Sequence, residues 1–293
     1  MGDRDRIISY GDLIDDVVAI PRGPIRDDTD TPSSIRFSPG GSAANTAAWL
    51  GAIGAPVDFV GAVATRDESR HAEVFAAGGV AAHLATSDEL PTGTIVIIVE
   101  GDRRHMLTER GANAALRSAH VSDDLLAAAR VLHITGHALL NDAGAGGIAD
   151  LITRAHAAGV TVSIAPGSAG FIADYGVREF LAGVAGADIL FPSLDEGRLL
   201  TGADEPEQVA LALGFPTVVL TLGTDGVAVA HGGSVTRVPA ELASVVDPTG
   251  AGDAFCAGFL AEWVHSGDPV AAADAGVRVA ARAVGVIGGR PSA

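Results

Sequence analysis

A chain of 293 residues with a formal net charge of −17 repels the phosphates of nucleic acids and of anionic membrane surfaces, so neither is an expected partner. Apart from histidine its basic side chains are all arginine; the absence of lysine removes Schiff-base chemistry and every phosphate site built on a lysine. The lone Cys256 excludes an intramolecular disulfide, no apolar run reaches the roughly 18 residues of a membrane span, and the charged segment Met1–Arg6 does not read as a signal peptide, so the expected location is the cytoplasm.

Short β-branched runs bounded by Gly, Pro or Asp alternate with stretches of helical spacing. Arg6–Tyr10 is the first predicted strand. Asp12–Ile20 and Ser34–Phe37 follow as two strands flanking the polar stretch Arg22–Pro32. Ser42–Leu50 is a predicted helix of small residues, Val57–Val60 a strand and Ser69–Ala77 a helix. Thr94–Glu100 and Arg104–Thr108 flank Gly101-Asp102-Arg103 and predict a β-hairpin. Strands at Val131–Ile134, Val160–Ile164, Asp188–Phe191 and Thr217–Leu222 then alternate with helices at Asp142–Ala158, Val177–Val184 and Asp195–Leu200. Helices Ala254–Val264 and Ala271–Val284 complete the pattern. The alternation implies an α/β fold of three layers, with a mostly parallel central sheet between helices and ligands at the C-terminal edge of its strands. The two helix-free pairs, at about 12–38 and 93–110, predict a small β-sheet lid inserted in a single domain spanning 1–293.

The most informative segment runs from Val245 to Phe255. An apolar strand end is expected to give way to the turn Asp247-Pro248-Thr249-Gly250-Ala251-Gly252, with a helix starting directly behind it. Unpaired N–H groups and the positive end of a helix make such a turn an anion site. Asp253 inside that site is either a general base for a neutral group lying beside a phosphate or a helix-terminus stabiliser, and the segment alone leaves both open. Gly40-Gly41-Ser42-Ala43-Ala44-Asn45 is a second Gly-rich entry into a helix, packing it close to the sheet and presenting the Asn45 amide near the strand edge. Thr221-Leu222-Gly223-Thr224-Asp225-Gly226 suits either an ordinary β-turn or close backbone approach to a flat ligand.

In this order the segments resemble the PfkB family of carbohydrate kinases, of ribokinase-like fold, along nearly the whole chain. The stretch Asp247–Phe255 resembles the family's C-terminal signature and Gly40–Ala47 its N-terminal signature; Gly11-Asp12 with Asp16 resembles its opening strand and first lid strand. The resemblance implies phosphoryl transfer from ATP, with Mg²⁺, to a hydroxyl of a small sugar. Asp253 would be the base, and the amides of Gly250, Ala251 and Gly252 the anion hole. Asp12, Gly40, Gly41 and Asn45 would hold the acceptor, with Arg110 and Asn113 as further candidates where the hairpin rejoins the body. Thr221, Gly223, Gly226, Thr249 and Gly252 would face the nucleotide. Glu196 and Asp247 would serve the metal, and a monovalent cation such as K⁺ would sit near Asp247 and Thr249. Relatives pair through the lid, which implies a homodimer.

Two positions depart from the family pattern. Ser193 replaces the Asn of an Asn-x-x-Glu motif, and Ala165 stands where many relatives carry Asp. Three features are read as structural: His133 and His137 as no shared metal site, Cys256 as a buried apolar residue, and Arg103 and Arg104 as solvated charge. A nucleoside kinase of the same family and a non-catalytic sugar- or nucleotide-binding regulator are the alternative readings.

Overall fold

A computed structural model of the chain describes residues 5–100, 103–141 and 147–291. The strands are β1 (Arg6–Tyr10), β2 (Ile14–Pro21), β3 (Ser33–Gly40), β4 (Val57–Ala64), β5 (Val80–Ser87), β6 (Gly93–Glu100), β7 (Arg103–Glu109), β8 (Ala129–Thr135), β9 (Thr161–Ala165), β10 (Ile189–Leu190), β11 (Thr217–Thr221), β12 (Val227–His231) and β13 (Ser234–Val238). Nine of them form one sheet in the order β13-β12-β11-β10-β9-β8-β1-β4-β5. Pairing is parallel from β5 through β11 and antiparallel across β12 and β13. A second sheet, β3-β2-β6-β7, stands apart from the first.

Ten helices cover the large sheet: α1 (Ser42–Ala52), α2 (Glu68–Ala77), α3 (Asp123–Ala128), α4 (Gly147–Ala157), α5 (Ala169–Tyr175), α6 (Val177–Gly183), α7 (Leu194–Thr201), α8 (Pro206–Ala212), α9 (Ala251–Ser266) and α10 (Pro269–Ala283) among the described residues. Side chains alternate across a strand, so neighbours in sequence enter opposite cores. Ile7, Phe59 and Val131 join Trp49, Leu50, Phe255 and Phe259 in one core. Ile8, Val60 and Leu132 join Leu126, Leu151 and Phe180 in the other. Both faces of the central strands are therefore dry, which is why these strands read as continuous apolar runs. None of the described helices is long and apolar enough to cross a membrane.

The α/β layering and the small sheet agree with the sequence reading, whereas the short helices α3, α5 and α8 were not expected and four further details differ. Strand β5 was not expected; in its pattern VAAHLATS only Val80 is buried, because it is an edge strand. The β12–β13 hairpin, joined through Gly232-Gly233, was also missed. The expected strand end at Val245-Val246 is instead part of a loop without strand, with both side chains exposed. Finally, α9 begins at Ala251 rather than Ala254, which places Asp253 within the first turn. Residues 1–4, most of the expected non-signal segment, lie outside the described residues, as do Gly101 and Asp102 of the hairpin turn and 142–146, the start of the helix expected over Asp142–Ala158.

Helix α9 is held by aromatic packing. Phe259 is fully buried, with its ring 4.9 Å from Phe191 in an edge contact and 5.9 Å from Trp263 in a stack. Truncating it leaves a cavity that close-packed neighbours cannot fill. Phe259→Ala is expected to cost about 3–5 kcal/mol, read as a lower urea midpoint with an unchanged denaturant slope.

Candidate active site

The head of α9 forms the centre of the site. Its N-cap Gly250 has φ 75°, a left-handed conformation, and a Cβ there would run 2.5 Å from Gly289 Cα. Only glycine meets both conditions. Ala251 N–H makes a 3.3 Å bond to Pro248 O, at the weak end of the normal range. A side chain at Gly252 would meet nothing within 4 Å, so the helix opens onto free space where first-turn amides lack intrahelical acceptors.

Asp253, the next residue, is directed towards α1. Its Oδ2 accepts a 2.9 Å hydrogen bond from Asn45 Nδ2 on α1. Surrounding protein atoms desolvate the carboxylate and push its pKa up to about 7; hydrogen bonds from Asn45 and Ser42 and the charge of Arg290 oppose the rise without cancelling it. At neutral pH the group is poised between its two protonation states, as a proton acceptor working there requires.

The turn before α9 is cinched by Asp247. Its Oδ1 accepts from Thr249 N (3.0 Å) and Thr249 Oγ1 (2.6 Å), and its Oδ2 from Gly288 N (3.1 Å). Burial opposes ionisation, but the bonds from Thr249 and Gly288, helped by the charge of Arg104, hold its pKa below the usual carboxylate range. Arg104 is exposed, as expected from its place near a hairpin tip, but it is also engaged. It donates from β7 to Thr249 Oγ1 (2.9 Å) and Asp247 Oδ1 (3.2 Å), tying the small sheet to the turn.

Cross-strand register places Asp16, Val18, Ile95, Ile97, Met106 and Arg104 on one face of the small sheet. Its two ends meet the body. Arg104 reaches the α9 turn, while Asp16 lies against Gly40, where any Cβ would overlap its carboxylate. Burial raises the Asp16 pKa to about 6, against the charge of Arg290. Gly41, with φ 91°, lets α1 press on the backbone of Asp12 and Leu13.

The remaining acceptor-side candidates divide into two kinds. Asp12 Oδ1 is buried without a hydrogen bond, 3.5 Å from Arg110 Nη2. Arg110 also donates to Asn141 Oδ1 (2.6 Å) and His137 O (3.3 Å), and Asn141 Nδ2 is buried and unbonded. Asn113 is fully buried and fully used: it accepts from Leu13 N and donates to Leu13 O and Arg110 O. It clamps the β1–β2 connection to the exit of β7.

On α7, Glu196 and Ser193 form a capping box. Glu196 Oε2 accepts from Ser193 N (2.7 Å) and Ser193 Oγ accepts from Glu196 N (3.3 Å). Burial raises the Glu196 pKa. Thr221 pairs with Ser193 across the strand ends; Gly223 faces open space, whereas Gly226 is required because the backbone of residues 238–240 occupies the volume of a side chain. Among the described residues no three His, Cys, Asp or Glu side chains converge as a metal centre, His133 and His137 included. Cys256 is buried, and burial raises its thiol pKa well above the ordinary value, as expected of an apolar packing residue.

Arg290, Asn141 and the reach of Arg104 were missed from sequence. A basic residue in Gly288-Gly289-Arg290-Pro291 resembles a solvated chain end, and no local pattern places it 3.2 Å from Asn45.

A model of the pfkB family of carbohydrate kinases matches residues 4–293. The chain is 31% identical to the ATP-dependent ribose-1-phosphate kinase of Halopiger xanaduensis over 90% of its own length and 86% of that protein. Among solved structures it is similar to adenosine kinase from Sinorhizobium meliloti, at 26% identity and a TM-score of 0.85 over 98% of this chain and 96% of that one. It is equally similar to a probable sugar kinase from Rhizobium etli, at 25% identity and a TM-score of 0.85 over 99% and 96%.

The capping box carries its own test. Ser193→Ala removes the acceptor for Glu196 N and is expected to cost about 0.5–2 kcal/mol in denaturant unfolding. Ser193→Asn retains a cap acceptor and is expected to stay within about 0.5 kcal/mol of the parent.

Proposed function

Since the chain belongs to the pfkB family of carbohydrate kinases and is therefore an ATP-dependent phosphotransferase acting on a hydroxyl of a sugar or nucleoside, we propose that its acceptor is a ribosyl compound and that Asp253 is the general base. The observation that carries this reading is the Asp253 carboxylate in the first turn of α9, with its pKa near 7 and open space at Gly252 beside it. Ribose 1-phosphate and adenosine, named for two of the relatives, share a ribosyl ring. The unbonded Asp12 Oδ1 and Asn141 Nδ2 offer one acceptor and one donor for ring hydroxyls, and the apolar face of Val18, Ile95 and Ile97 suits the ring carbons. Gly40 and Gly41 make room for this arrangement, Asn45 orients the base, and Arg110 and Asn113 hold its walls.

In the transfer, the acceptor hydroxyl oxygen bonds to the γ-phosphorus as the bond to the β–γ bridging oxygen breaks, and ADP leaves. Asp253 takes the hydroxyl proton. The amides of Gly250, Ala251 and Gly252 stabilise charge on the phosphoryl oxygens. Thr221, Gly223, Gly226 and Thr249 line the nucleotide side. Glu196 and Asp247, which already accept bonds from backbone amides, would hold Mg²⁺ through its water shell, and the ion would supply neutralisation of the triphosphate. K⁺ at Asp247 fits less well, because Thr249, Gly288 and the Arg104 guanidinium already surround that carboxylate. A cytoplasmic location and a homodimer through the outer face of the small sheet, where Ile35, Phe37 and Leu107 are exposed, complete the reading.

Two measurements test it. With ribose, ribose 1-phosphate, fructose, adenosine and cytidine as acceptors, the ribosyl compounds are expected to give the highest kcat/KM; selective turnover of fructose overturns the acceptor assignment. Asp253→Asn is expected to lose about 10²–10⁴-fold in kcat with ATP affinity kept, and a folded variant with near-parental kcat overturns the base. Because the working form is the ionised one and its pKa is raised, kcat/KM is expected to rise with pH through about 7 and, one unit below that, to lie about tenfold under its alkaline plateau.

A further inference from the structure

The segment after α10 carries a guanidinium to the back of the transfer site. Arg290 is only 8% exposed. Its Nε donates to Asn45 Oδ1 at 3.2 Å and its Nη2 to Gly40 O at 2.8 Å, while Cζ lies 5.0 Å over the Phe75 ring of α2. Its Nη1 is buried with no hydrogen-bond acceptor. A desolvated cation without a directly bonded carboxylate is costly. The compensating charges are Asp15 and Asp16 on β2 and Asp253 on α9, all of which act on it through space.

The tail is held in place as firmly as a secondary-structure element. Gly289 O accepts from Trp49 Nε1 at 3.0 Å, Gly288 N donates to Asp247, and a Cβ on Gly289 would collide with the Asn45 amide just as one on Gly250 would collide with the Gly289 backbone. The consequence for Asn45 is directional. An amide has one accepting and one donating end, and Arg290 Nε can only donate. Oδ1 must therefore face Arg290, which leaves Nδ2 for Asp253.

We infer that Arg290 is a positioning residue for phosphoryl transfer: it locks the Asn45 amide with its donor towards Asp253 and supplies the buried positive charge shared by Asp253 and Asp16. The inference rests on Asp253 being the base. Asp253 is faced by Asn45 and Ser42 from α1, by Cys256 on its own helix and by Arg290 from the tail; Asp16 is faced by Asp15 and Arg290. Arg290 is the only cation among these neighbours, so its removal leaves desolvation of both carboxylates unopposed by charge and moves both pKa values upward.

The test compares the parent with Arg290→Gln and Arg290→Lys. Asp253 is titrated directly by carboxyl NMR of aspartate-labelled protein, with Asp253→Asn identifying its signal, and phosphorylation of adenosine by ATP is followed against pH. In Arg290→Gln the Asp253 titration and the acidic limb of kcat/KM are expected to move up together by about one unit, so that activity falls about tenfold below neutrality and largely recovers in alkali. A merely structural loss lowers activity equally at every pH. A folded Arg290→Gln protein whose Asp253 titrates as in the parent overturns the inference. If that variant does not fold, Arg290→Lys decides. It keeps the charge but not the paired bonds to Asn45 and Gly40, so in protein that keeps the parental urea midpoint the titration is expected to stay within about half a unit while kcat falls about tenfold or more, and a loss of kcat accounted for by a lowered midpoint overturns the inference. Parental kcat in Arg290→Lys overturns the inference. Asp253→Asn separates the two claims: if it retains turnover the base assignment fails, and if it loses turnover while the Arg290→Gln profile stays put, only the role of Arg290 fails.

Discussion

The hydrogen bond from Asn45 to Asp253 joins residues 208 positions apart, and most of the site's geometry follows from having to make it. The α1 entry, the α9 head and the tail after α10 must meet within a few ångströms. Side chains normally hold backbones further apart than that. Here Gly250 and Gly289 stand where the α9 head, the tail and the Asn45 amide touch, and Gly40 and Gly41 where the α1 entry meets β2 and the β1–β2 connection; at each a Cβ would overlap a neighbouring segment. The glycines are thus less a general loosening of the chain than the condition for three segments sharing one small volume.

Electrostatics then decides what that volume can do. A protein with a net charge of −17 and no lysine still builds a site suited to anions, because the relevant field is local. The helix head contributes positive potential worth about 0.3–1 kcal/mol at a surface and up to about 2 kcal/mol when partly buried. Two arginines stand by it, each engaged: Arg104 with Asp247 and Arg290 with Asn45, while Arg110 is held by Asp12 and Asn141. Desolvation nevertheless dominates at Asp253 and Asp16, whose pKa values stand above the ordinary carboxylate value despite a nearby cation. Asp15, which has a paired Arg70 at 2.6 Å and a nearby His71, moves in the opposite direction. Adjacent aspartates on one strand thereby acquire opposite character, the first an anchor of β2 to α2, the second a group of adjustable charge facing the cleft.

The small sheet is coupled to this chemistry at both ends of one face. Asp16 lies beside the α1 entry and Arg104 on the α9 turn, with apolar residues between them. Under the proposed function, movement of this sheet changes acceptor contacts, the charge around Asp247 and solvent access together, which gives one rigid-body motion control over binding and water exclusion.

Residue periodicity and local turn chemistry determined the α/β layering, the helix-free pairs that make the small sheet, and the Gly-rich segments around Asn45 and Asp253. These signals are local: burial on two faces makes apolar runs, burial on one face of a helix makes a 3.6-residue stripe, and tight turns demand glycine. Edge strand β5 escaped because only Val80 of its eight residues is buried, which leaves no apolar run, and the exposed Val245 and Val246 resembled a strand because propensity carries no information about what a segment packs against. Only the tertiary structure decided that Asn113 is consumed by Leu13, that Glu196 closes a capping box with Ser193, that Arg104 reaches Asp247, and that Arg290 turns inward to Asn45. Each depends on a partner supplied by another element or on a side-chain direction, and a guanidinium on a flexible stem has the same local sequence signature whether it ends in water or beneath an active site.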